Sequence, residues 1–290
     1  MNGILLVDKP EGWTSMDVCA KLRGVFHEKR IGHSGTLDPM ATGLLVVFLG
    51  RATRAVEYAE AHSKEYIAHL RLGLTTDTQD TSGNVLYEKE ANVSEHALLE
   101  ALNAFRGPIS QIPPMYSAIK IGGKKLYEIA RKGESVERKA RRVIIHSLDF
   151  LGWENGDAVL KVRCSKGTYI RALCHDIGEA LGCGGCMSYL RRTAAGEFSI
   201  AAAMSLEDII STAERGEGEA LLLKVEELFR DIPILKLNEK QERLFRNGVR
   251  FTMNIEERSY RVYSFKGEFL ALAKVEDRLL ISEKTFFEVN

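Results

Sequence analysis

The stretch that most constrains this chain is residues 32–45, where three glycines and a proline precede an apolar run. This punctuation predicts a shaped loop rather than a helix or a strand. The apolar run, residues 44–49, predicts a buried strand that holds the loop in place. The loop carries one carboxylate, Asp38, among apolar neighbours, where it can be dehydrated and oriented as a nucleophile or an acid–base group requires. An aspartate before a proline also caps turns, and the local pattern leaves this alternative open.

Shorter patterns of helices and strands surround this loop. The spacing of Thr14 and Asp17 predicts the start of a capped helix, which leads to Arg30 and the loop. By periodicity, strands are predicted at residues 4–7, 65–72, 143–151, 158–164 and 187–193, and helices at residues 52–62, 94–106, about 170–181, from 205 onward and 221–229. In the helix at 94–106, the side chains predicted to face inward are Leu98, Leu99, Leu102 and Phe105.

The hydrophobic pattern of the sequence changes at residue 232. Short alternating strands are predicted at residues 260–265, 269–275 and 279–281, with glycines between the segments. We therefore expect two domains, residues 1–230 and residues 231–290, of which the second is small and rich in β-structure.

The net charge and the distribution of charge point in different directions on whether the protein binds nucleic acid. The 40 basic and 40 acidic residues cancel, which by itself argues against a nucleic-acid partner. The basic residues are clustered, however, and such clusters can form a face for phosphates while the whole chain stays neutral. The alternative is ordinary solvated surface charge. The clusters are Lys120, Lys124 and Lys125; Arg138, Lys139, Arg141 and Arg142; and Arg191 and Arg192.

Other features exclude several classes. No apolar run approaches the roughly 18 residues of a membrane span, and the first residues lack the basic start of a signal peptide. A cytoplasmic protein with reduced thiols is therefore expected. Cys183 and Cys186 have CxxC spacing, but no second pair completes a four-ligand metal site. We expect a structural or incidental role for these cysteines, and we expect no bound metal ion.

Residues 33–43 resemble the signature of the TruB family of pseudouridine synthases, which modify uridine 55 in the T-loop of tRNA. The family pattern is Gly-His-Thr-Gly-x-Leu-Asp-Pro-x-Ala-Thr-Gly. Ser34 replaces the threonine and keeps its hydroxyl. The resemblance implies that Asp38 is the catalytic nucleophile and that His33 contacts RNA, helping to fill the place left by the target base.

Three further motifs resemble that family and follow in its order. Residues 8–12 resemble its first motif, in which the lysine, here Lys9, supports the active site, and Lys9 is expected among the substrate-binding residues. Residues 64–66 and 72–80 resemble its second motif, which implies that Tyr66 stacks on the target base. On its own Tyr66 reads as an ordinary core or interface tyrosine.

Residues 165–171 match the family motif Ser-Lys-Gly-Thr-Tyr-Ile-Arg. The match implies that Arg171 pairs with Asp38 and that Tyr169 lies near the bound uracil. Leu190 corresponds to a family residue that packs against the base. Physical chemistry agrees for the arginine, because a permanently charged guanidinium keeps a buried aspartate ionised and oriented.

The resemblance also covers RNA-binding parts. The arm at residues 113–134, with Lys120, Lys124 and Lys125, resembles an insertion that grips the T-stem of tRNA, and residues 231–290 resemble a PUA domain. The implied fold is α+β, with a mixed, mainly antiparallel sheet flanked by helices and loops. The implied partner is the T-arm of tRNA, bound by a monomer that requires no protein partner.

The implied reaction detaches uracil from C1′ of its ribose, turns it and rejoins it through C5. The base must be flipped out of the T-loop, at a cost of roughly a few kcal/mol. No external group is transferred, so no cofactor is expected. Attack of Asp38 on C1′ and attack on C6 both remain open, as does a further role in assisting tRNA folding.

Three rival readings remain. A hydrolase using Ser34 is disfavoured because the spacing of Gly32, Ser34 and Gly35 does not fit Gly-x-Ser-x-Gly. A non-catalytic RNA-binding or folding module would use the arm and the C-terminal domain. A guide-RNA-dependent synthase is disfavoured because the basic arm belongs to the stand-alone form.

Overall fold

The computed structural model describes residues 1–117, 119–130, 132–134 and 136–287. Within these residues the chain forms nineteen strands and seven α-helices, with four short 3-10 helices. None of the helices in the described ranges is long and apolar enough to cross a membrane.

The helices and strands are as follows. The α-helices are α1 (Ser15–Phe26), α2 (Val56–Ala61), α3 (Glu95–Asn103), α4 (Leu126–Ala130), α5 (Ile170–Ala180), α6 (Leu206–Glu214) and α7 (Glu239–Arg246). The strands up to the middle of the chain are β1 (Gly3–Lys9), β2 (Ile31–Ser34), β3 (Thr42–Leu49), β4 (Lys64–Leu72), β5 (Leu74–Thr76), β6 (Val85–Glu88), β7 (Gly107–Gln111), β8 (Lys120–Ile121), β9 (Lys124–Lys125) and β10 (Arg141–Glu154). The later strands are β11 (Asp157–Cys164), β12 (Gly185–Ala195), β13 (Phe198–Ser199), β14 (Met204–Ser205), β15 (Ile234–Lys236), β16 (Phe251–Thr252), β17 (Ser259–Tyr263), β18 (Phe269–Glu276) and β19 (Leu279–Thr285).

A large mixed sheet organises most of the chain. Its strand order is β14-β1-β3-β12-β4-β11-β10-β7, with β2 added to β3 and β13 added to β12. Only the pairs β1–β14 and β3–β12 are parallel within this sheet. The α+β class with a mixed, mainly antiparallel sheet is therefore confirmed.

The central strands bury side chains on both faces. On β1, Leu5 and Val7 pack with helices α1 and α6, whereas Ile4 and Leu6 face a cluster shared with the C-terminal residues. Strand β3 alternates in the same way and is almost entirely buried. A continuous apolar run is the pattern expected for a strand covered on both faces. The strand that follows the loop is therefore held on two sides, as predicted.

The C-terminal residues form a second sheet, in the order β15-β17-β18-β19-β16, with helix α7 beside it. The three strands predicted here are confirmed, at slightly shifted bounds, and α7 was not predicted. Phe229, Phe269 and Phe286 pack against one another and against Ile4 and Phe48 of the large sheet. The C-terminal sheet thus shares a buried cluster with the rest of the chain. The boundary at residue 230 stays a prediction.

Several local predictions are confirmed. Thr14 and Asp17 form the predicted capping box at the start of α1. Strands β10 and β11 form the predicted hairpin, with Asn155 and Gly156 both at positive φ in its turn. This conformation is typical of an Asn-Gly hairpin turn.

Other local predictions are wrong. Residues 32–34 belong to β2 rather than to a loop, because they pair with β3. Residues 221–229 do not form one helix, because Leu223 pairs through its backbone with Ile4 and leaves only 3-10 turns on either side. The side chain of Leu99 is 37% exposed rather than inward. Strand β7 was missed, since its sequence was interpreted only as the end of a helix.

Candidate active site

The candidate site is built on the connection between β2 and β3. These strands are antiparallel neighbours, so residues 35–41 form the loop of a hairpin. Gly43 allows the loop to return, because it has a φ of +97° and a Cβ there would lie 2.3 Å from the carbonyl oxygen of Arg192. Only glycine satisfies both conditions without displacing the backbone. We call residues 35–41 the catalytic loop below.

The catalytic loop is fastened from below by the segment that follows β1. The N–H of Gly12 donates to the Pro39 carbonyl (2.8 Å), and the hydroxyl of Ser15 accepts from the N–H of Leu37 (2.9 Å). The ammonium of Lys9 donates to the carbonyls of Pro10, Trp13 and Pro39. Since Lys9 is fully buried, its ammonium is used to support the loop from beneath. A direct contact between Lys9 and substrate stays a prediction.

Asp38 and Arg171 meet at the top of this loop. The Nε of Arg171 lies 2.9 Å from Oδ2 of Asp38, and its Nη2 lies 3.3 Å from Oδ1. The two residues are 133 positions apart in the sequence, and Arg171 comes from the first turn of α5. The carboxylate is directed at the arginine, whereas the loop's own turn is closed by the Ala41 N–H donating to the Asp38 carbonyl. A two-pronged contact of this kind fixes the orientation of the carboxylate as well as its charge.

Arg171 is itself held by three other groups. It donates to the carbonyls of Thr78 (2.9 Å) and Tyr116 (2.8 Å), and its Nη1 lies 3.6 Å from Oδ2 of Asp80. Its side chain is 5% exposed, whereas that of Asp38 is 36% exposed. The guanidinium is therefore a buried clamp, and the carboxylate faces outward to where a substrate can reach it.

Asp80 is a residue of the candidate site that the sequence analysis did not predict. Its Oδ1 accepts hydrogen bonds from the hydroxyls of Thr78 and Ser82, which orients Oδ2 toward Arg171. The residue lies in the motif at 72–80, so that motif was the available signal. Nothing local in the sequence indicated which guanidinium its carboxylate would approach.

The pKa of Asp38 is set by opposing influences. Burial raises the pKa of this carboxyl above its ordinary value, and the nearby charge of Asp80 raises it further. The guanidinium of Arg171 acts in the opposite direction through its charge and its hydrogen bond. Arg171 thus favours the ionised form that a nucleophile needs, in surroundings that otherwise favour the neutral form.

Three apolar or aromatic side chains lie beside the loop. Tyr66 on β4 is 8% exposed and packs in the same cluster as Leu190 on β12 and Leu37 of the catalytic loop. Tyr169 is the residue before α5, and its N–H and carbonyl are both bonded to the side-chain amide of Gln111. The structure therefore brings Tyr66, Leu190 and Tyr169 near the Asp38–Arg171 pair. Their contacts with a base stay predictions.

His33 lies on β2 at the start of the catalytic loop. Burial, and secondarily the charge of Arg192, lower the pKa of its imidazole to about 4. Its Nδ1 has no hydrogen-bond partner in the described structure. The imidazole is therefore neutral near neutral pH, which suits stacking or space filling rather than attraction of a phosphate.

The predicted phosphate face is corrected at Arg191 and Arg192. Arg191 forms a two-pronged ion pair with Asp8, and Arg192 is 1% exposed. These arginines are structural partners of β1 and of the catalytic loop rather than surface cations. Lys124 is exposed on β9, as a phosphate contact requires. The side chains of Lys120 and Lys125 lie outside the described part of the structure.

The rival chemistries lack matching geometry. Ser34 is 1% exposed, so its hydroxyl is not presented to a substrate. Cys183 and Cys186 are buried free thiols. Among the described residues, no group of three or more His, Cys, Asp or Glu side chains is arranged to hold a metal ion.

Comparison with known proteins defines the class first. The fold matches a solved Cbf5-Nop10-Gar1 complex with a TM-score of 0.75 at 26% identity, over 99% of this chain and 85% of that one. The chain has a pseudouridine synthase fold, with a PUA-like C-terminal domain.

The sequence comparisons then give the family. The family model for the N-terminal domain of TruB family pseudouridylate synthases matches residues 23–170, and that for the tRNA pseudouridylate synthase B C-terminal domain matches residues 171–230. The chain is 39% identical over 286 residues to the tRNA pseudouridine synthase B of Clostridium kluyveri, covering 96% of each. It is 41% identical over 297 residues to that of Clostridium perfringens, covering 99% of this chain and all of the other. This chain belongs to the TruB family of pseudouridine synthases.

Proposed function

We propose that this protein isomerises uridine 55 in the T-loop of tRNA to pseudouridine, with Asp38 as the nucleophile. The observation that carries the proposal is the carboxylate of Asp38, held by a buried arginine and still facing outward. The relatives that cover the whole chain are tRNA pseudouridine synthases by name, which supports tRNA as the substrate. A tRNA substrate also favours a cytoplasmic location.

The geometry suits a base that is brought to the enzyme out of its stack. The apolar side chains of Leu37 and Leu190 and the ring of Tyr66 belong to one buried cluster, in which Leu37 is the chain neighbour of Asp38 and Tyr66 interacts electrostatically with it. A flipped uracil would lie against them, with Tyr66 on its face. The neutral imidazole of His33 would help to fill the space that the base leaves in the T-loop.

The chemistry needs a carboxylate that is ionised, oriented and shielded from water. Arg171 supplies the first two conditions, because it counters the effect of burial on the pKa of Asp38 and contacts both of its oxygens. Asp38 attacks the uridine, uracil leaves C1′, and the turned base rejoins the ribose through C5 while the bond to Asp38 is broken and its carboxylate is released. The proton displaced from C5 is lost to solvent and N1 gains one, so the product is an isomer of the substrate and no other group is transferred. We expect the protein to act alone, as a monomer.

The decisive experiment maps pseudouridine in an unmodified tRNA transcript after incubation with this protein and no added RNA or protein. We expect modification at position 55 and none in a transcript with cytidine there. Asp38→Asn should abolish tritium release from uridine labelled at C5 and leave tRNA affinity within about tenfold, or roughly 1.4 kcal/mol. The affinity is retained because phosphate contacts supply most of the binding.

Two results would contradict the proposal. Substantial turnover by Asp38→Asn would remove Asp38 as the nucleophile. Modification only after a guide RNA or a second protein is added would show that the chain does not act alone.

A further inference from the structure

Arg192 has an unusual place for an arginine. It lies on β12 directly behind the catalytic loop and is 1% exposed, among the largest fully buried side chains of the described structure. Its Nε donates to the Leu44 carbonyl (2.6 Å), and its Nη2 donates to the Gly35 carbonyl (3.1 Å). Gly35 is the first residue of the catalytic loop, and Leu44 follows its last residue by three positions. One guanidinium therefore joins the two ends of the loop.

The burial of this charge has a cost. Within the described residues no carboxylate forms an ion pair with Arg192, so its charge is met only by neutral dipoles. A buried ion without a counter-ion is costly, and an apolar side chain of similar volume commonly serves packing as well or better. Filling space behind the loop therefore does not require an arginine. Bridging two backbone carbonyls does, because a methionine or leucine has no donors.

The charge of Arg192 also reaches its neighbours. It contributes to lowering the pKa values of His33, Lys9 and Lys64, in each case after the larger effect of burial. For Lys9 and Lys64 the pKa falls to about 8. The loop thus lies over three buried basic side chains, Lys9, Lys64 and Arg192.

We propose that Arg192 is a positioning residue for the isomerisation: it ties the start and the end of the catalytic loop together from behind, while Arg171 holds Asp38 from the front. This inference rests on the function proposed above. Arg192 does not touch the substrate. Its effect is on where the loop places the Asp38 carboxylate and on the hydroxyl of Tyr66, with which its side chain also forms a hydrogen bond. A displacement of about 1 Å at a reacting group can lower a rate by roughly a hundredfold.

Lys9, which supports the same loop, provides a second readout that reports the charge of Arg192. Its ammonium donates to Trp13 (2.6 Å), Pro10 (2.8 Å) and, most weakly, to Pro39 of the catalytic loop (3.3 Å). A neutral amine has only two protons to donate, so deprotonation frees the Pro39 carbonyl. With a pKa of about 8 for Lys9, activity should fall above that pH.

The groups that face Lys9 determine the direction in which this limit moves. Burial lowers its pKa most; Asp38 and Glu11 raise it, Arg192 lowers it, and Asp17 raises it slightly. Removing the charge of Arg192 therefore raises the pKa of Lys9. The alkaline fall in activity should therefore move to higher pH in Arg192→Met.

The test compares Arg192→Met and Arg192→Lys with the wild type on an unmodified tRNA transcript. Single-turnover rate at saturating tRNA, the pH profile of that rate, tRNA Kd and melting temperature are measured on each. We expect Arg192→Met to lose about a hundredfold in rate with Kd within about threefold, since a buried residue contacts no phosphate. Arg192→Lys should lie between, because one ammonium replaces a fork that reaches two carbonyls.

A matched control is Arg71→Met. Arg71 lies on β4 and forms a two-pronged pair with buried Asp157, so its loss costs stability. It lies five residues from Tyr66, about 16 Å along the strand. Below its melting temperature this variant should turn over at the wild-type rate.

Specific results would overturn the inference. A folded Arg192→Met with a rate within threefold of wild type would refute it, as would a weakened Kd with an unchanged rate. If Arg192→Met does not fold, Arg192→Lys decides, and a wild-type rate in that variant would show that the fork is not needed. An alkaline limit that stays in place in a folded Arg192→Met would also refute the link to Lys9. A wild-type protein that forms no pseudouridine would refute the proposed function instead.

Discussion

Replacing Arg171 with lysine tests how the Asp38 carboxylate is held. The guanidinium contacts both oxygens of Asp38 and the carbonyls of Thr78 and Tyr116, at distances of 2.9, 3.3, 2.9 and 2.8 Å. A lysine keeps the positive charge but has a single nitrogen that cannot reach all four groups. We therefore expect at least two contacts to be lost in a place that is 5% exposed.

The magnitude follows from these contacts. Each buried group left without a donor costs about 1–3 kcal/mol. Two such losses raise the barrier by roughly 2–6 kcal/mol, which is a fall in rate of about 30- to 10⁴-fold at 1.36 kcal/mol per factor of ten. Since the Arg171 side chain is buried, tRNA affinity should change less than about threefold, and the dependence of binding on salt should not change.

The assay is single-turnover pseudouridine formation at saturating tRNA, with Kd measured at several salt concentrations on the same variant. Arg171→Met extends the test to pH. Because the guanidinium lowers the pKa of Asp38 and burial raises it, removing the charge lets that pKa rise further. Activity, which needs the ionised form, should then be lost at a higher pH on the acid side than in the wild type.

One pattern of results would refute this reasoning. If Arg171 served only to bind a phosphate, Arg171→Lys would turn over normally at saturating tRNA. Arg171→Met would then show a salt slope shallower by about one unit.

Two further predictions use other parts of the structure. Asp80→Asn removes a carboxylate that raises the pKa of Asp38, so the acid limit of activity should move to lower pH, opposite to its direction in Arg171→Met. The maximum rate should fall about tenfold because Arg171 is held less firmly. A shift of the acid limit to higher pH would contradict this prediction. Phe229→Ala should lower the free energy of unfolding by about 3–5 kcal/mol in a thermal or denaturant titration, because the ring is buried between the C-terminal sheet and the large sheet. The matched control Phe265→Ala, at a side chain that is 40% exposed, should change that free energy by less than about 0.5 kcal/mol, and equal effects of the two would show that no shared cluster stabilises the chain.

The C-terminal cluster also changes what truncation should do. From the sequence, residues 231–290 read as an independent small domain. In the structure Phe269 and Phe286 cover side chains of β1 and β3, the strands that carry the catalytic loop. Removing this segment would expose an apolar face beneath the site, so a loss of activity on truncation would not by itself indicate a loss of RNA binding.

The sequence alone determined the features that arise from neighbouring residues. Gly35 and Pro39 of the catalytic loop, the apolar run after it and the capping pair at Thr14 each act over a few positions, and each is confirmed in the structure. Gly32 and Gly43 lie in the flanking strands β2 and β3 rather than in the loop. The alternation of β4 correctly placed Tyr66 on a buried face. The pairing of Arg171 with Asp38 was anticipated too, although only through the resemblance of two separate motifs to one family.

The tertiary structure alone decided which of these residues meet, because contacts between distant segments depend on the packing of the whole sheet. Nothing in the sequence near Asp80 indicates Arg171, 91 positions away, and nothing near Arg192 separates it from a surface cation such as Arg142. The breaking of the predicted helix at Leu223 has the same cause, because the backbone of Ile4 offers a pairing that outweighs local helical preference. Periodicity describes one segment at a time, whereas burial and charge pairing are properties of the segments that surround it.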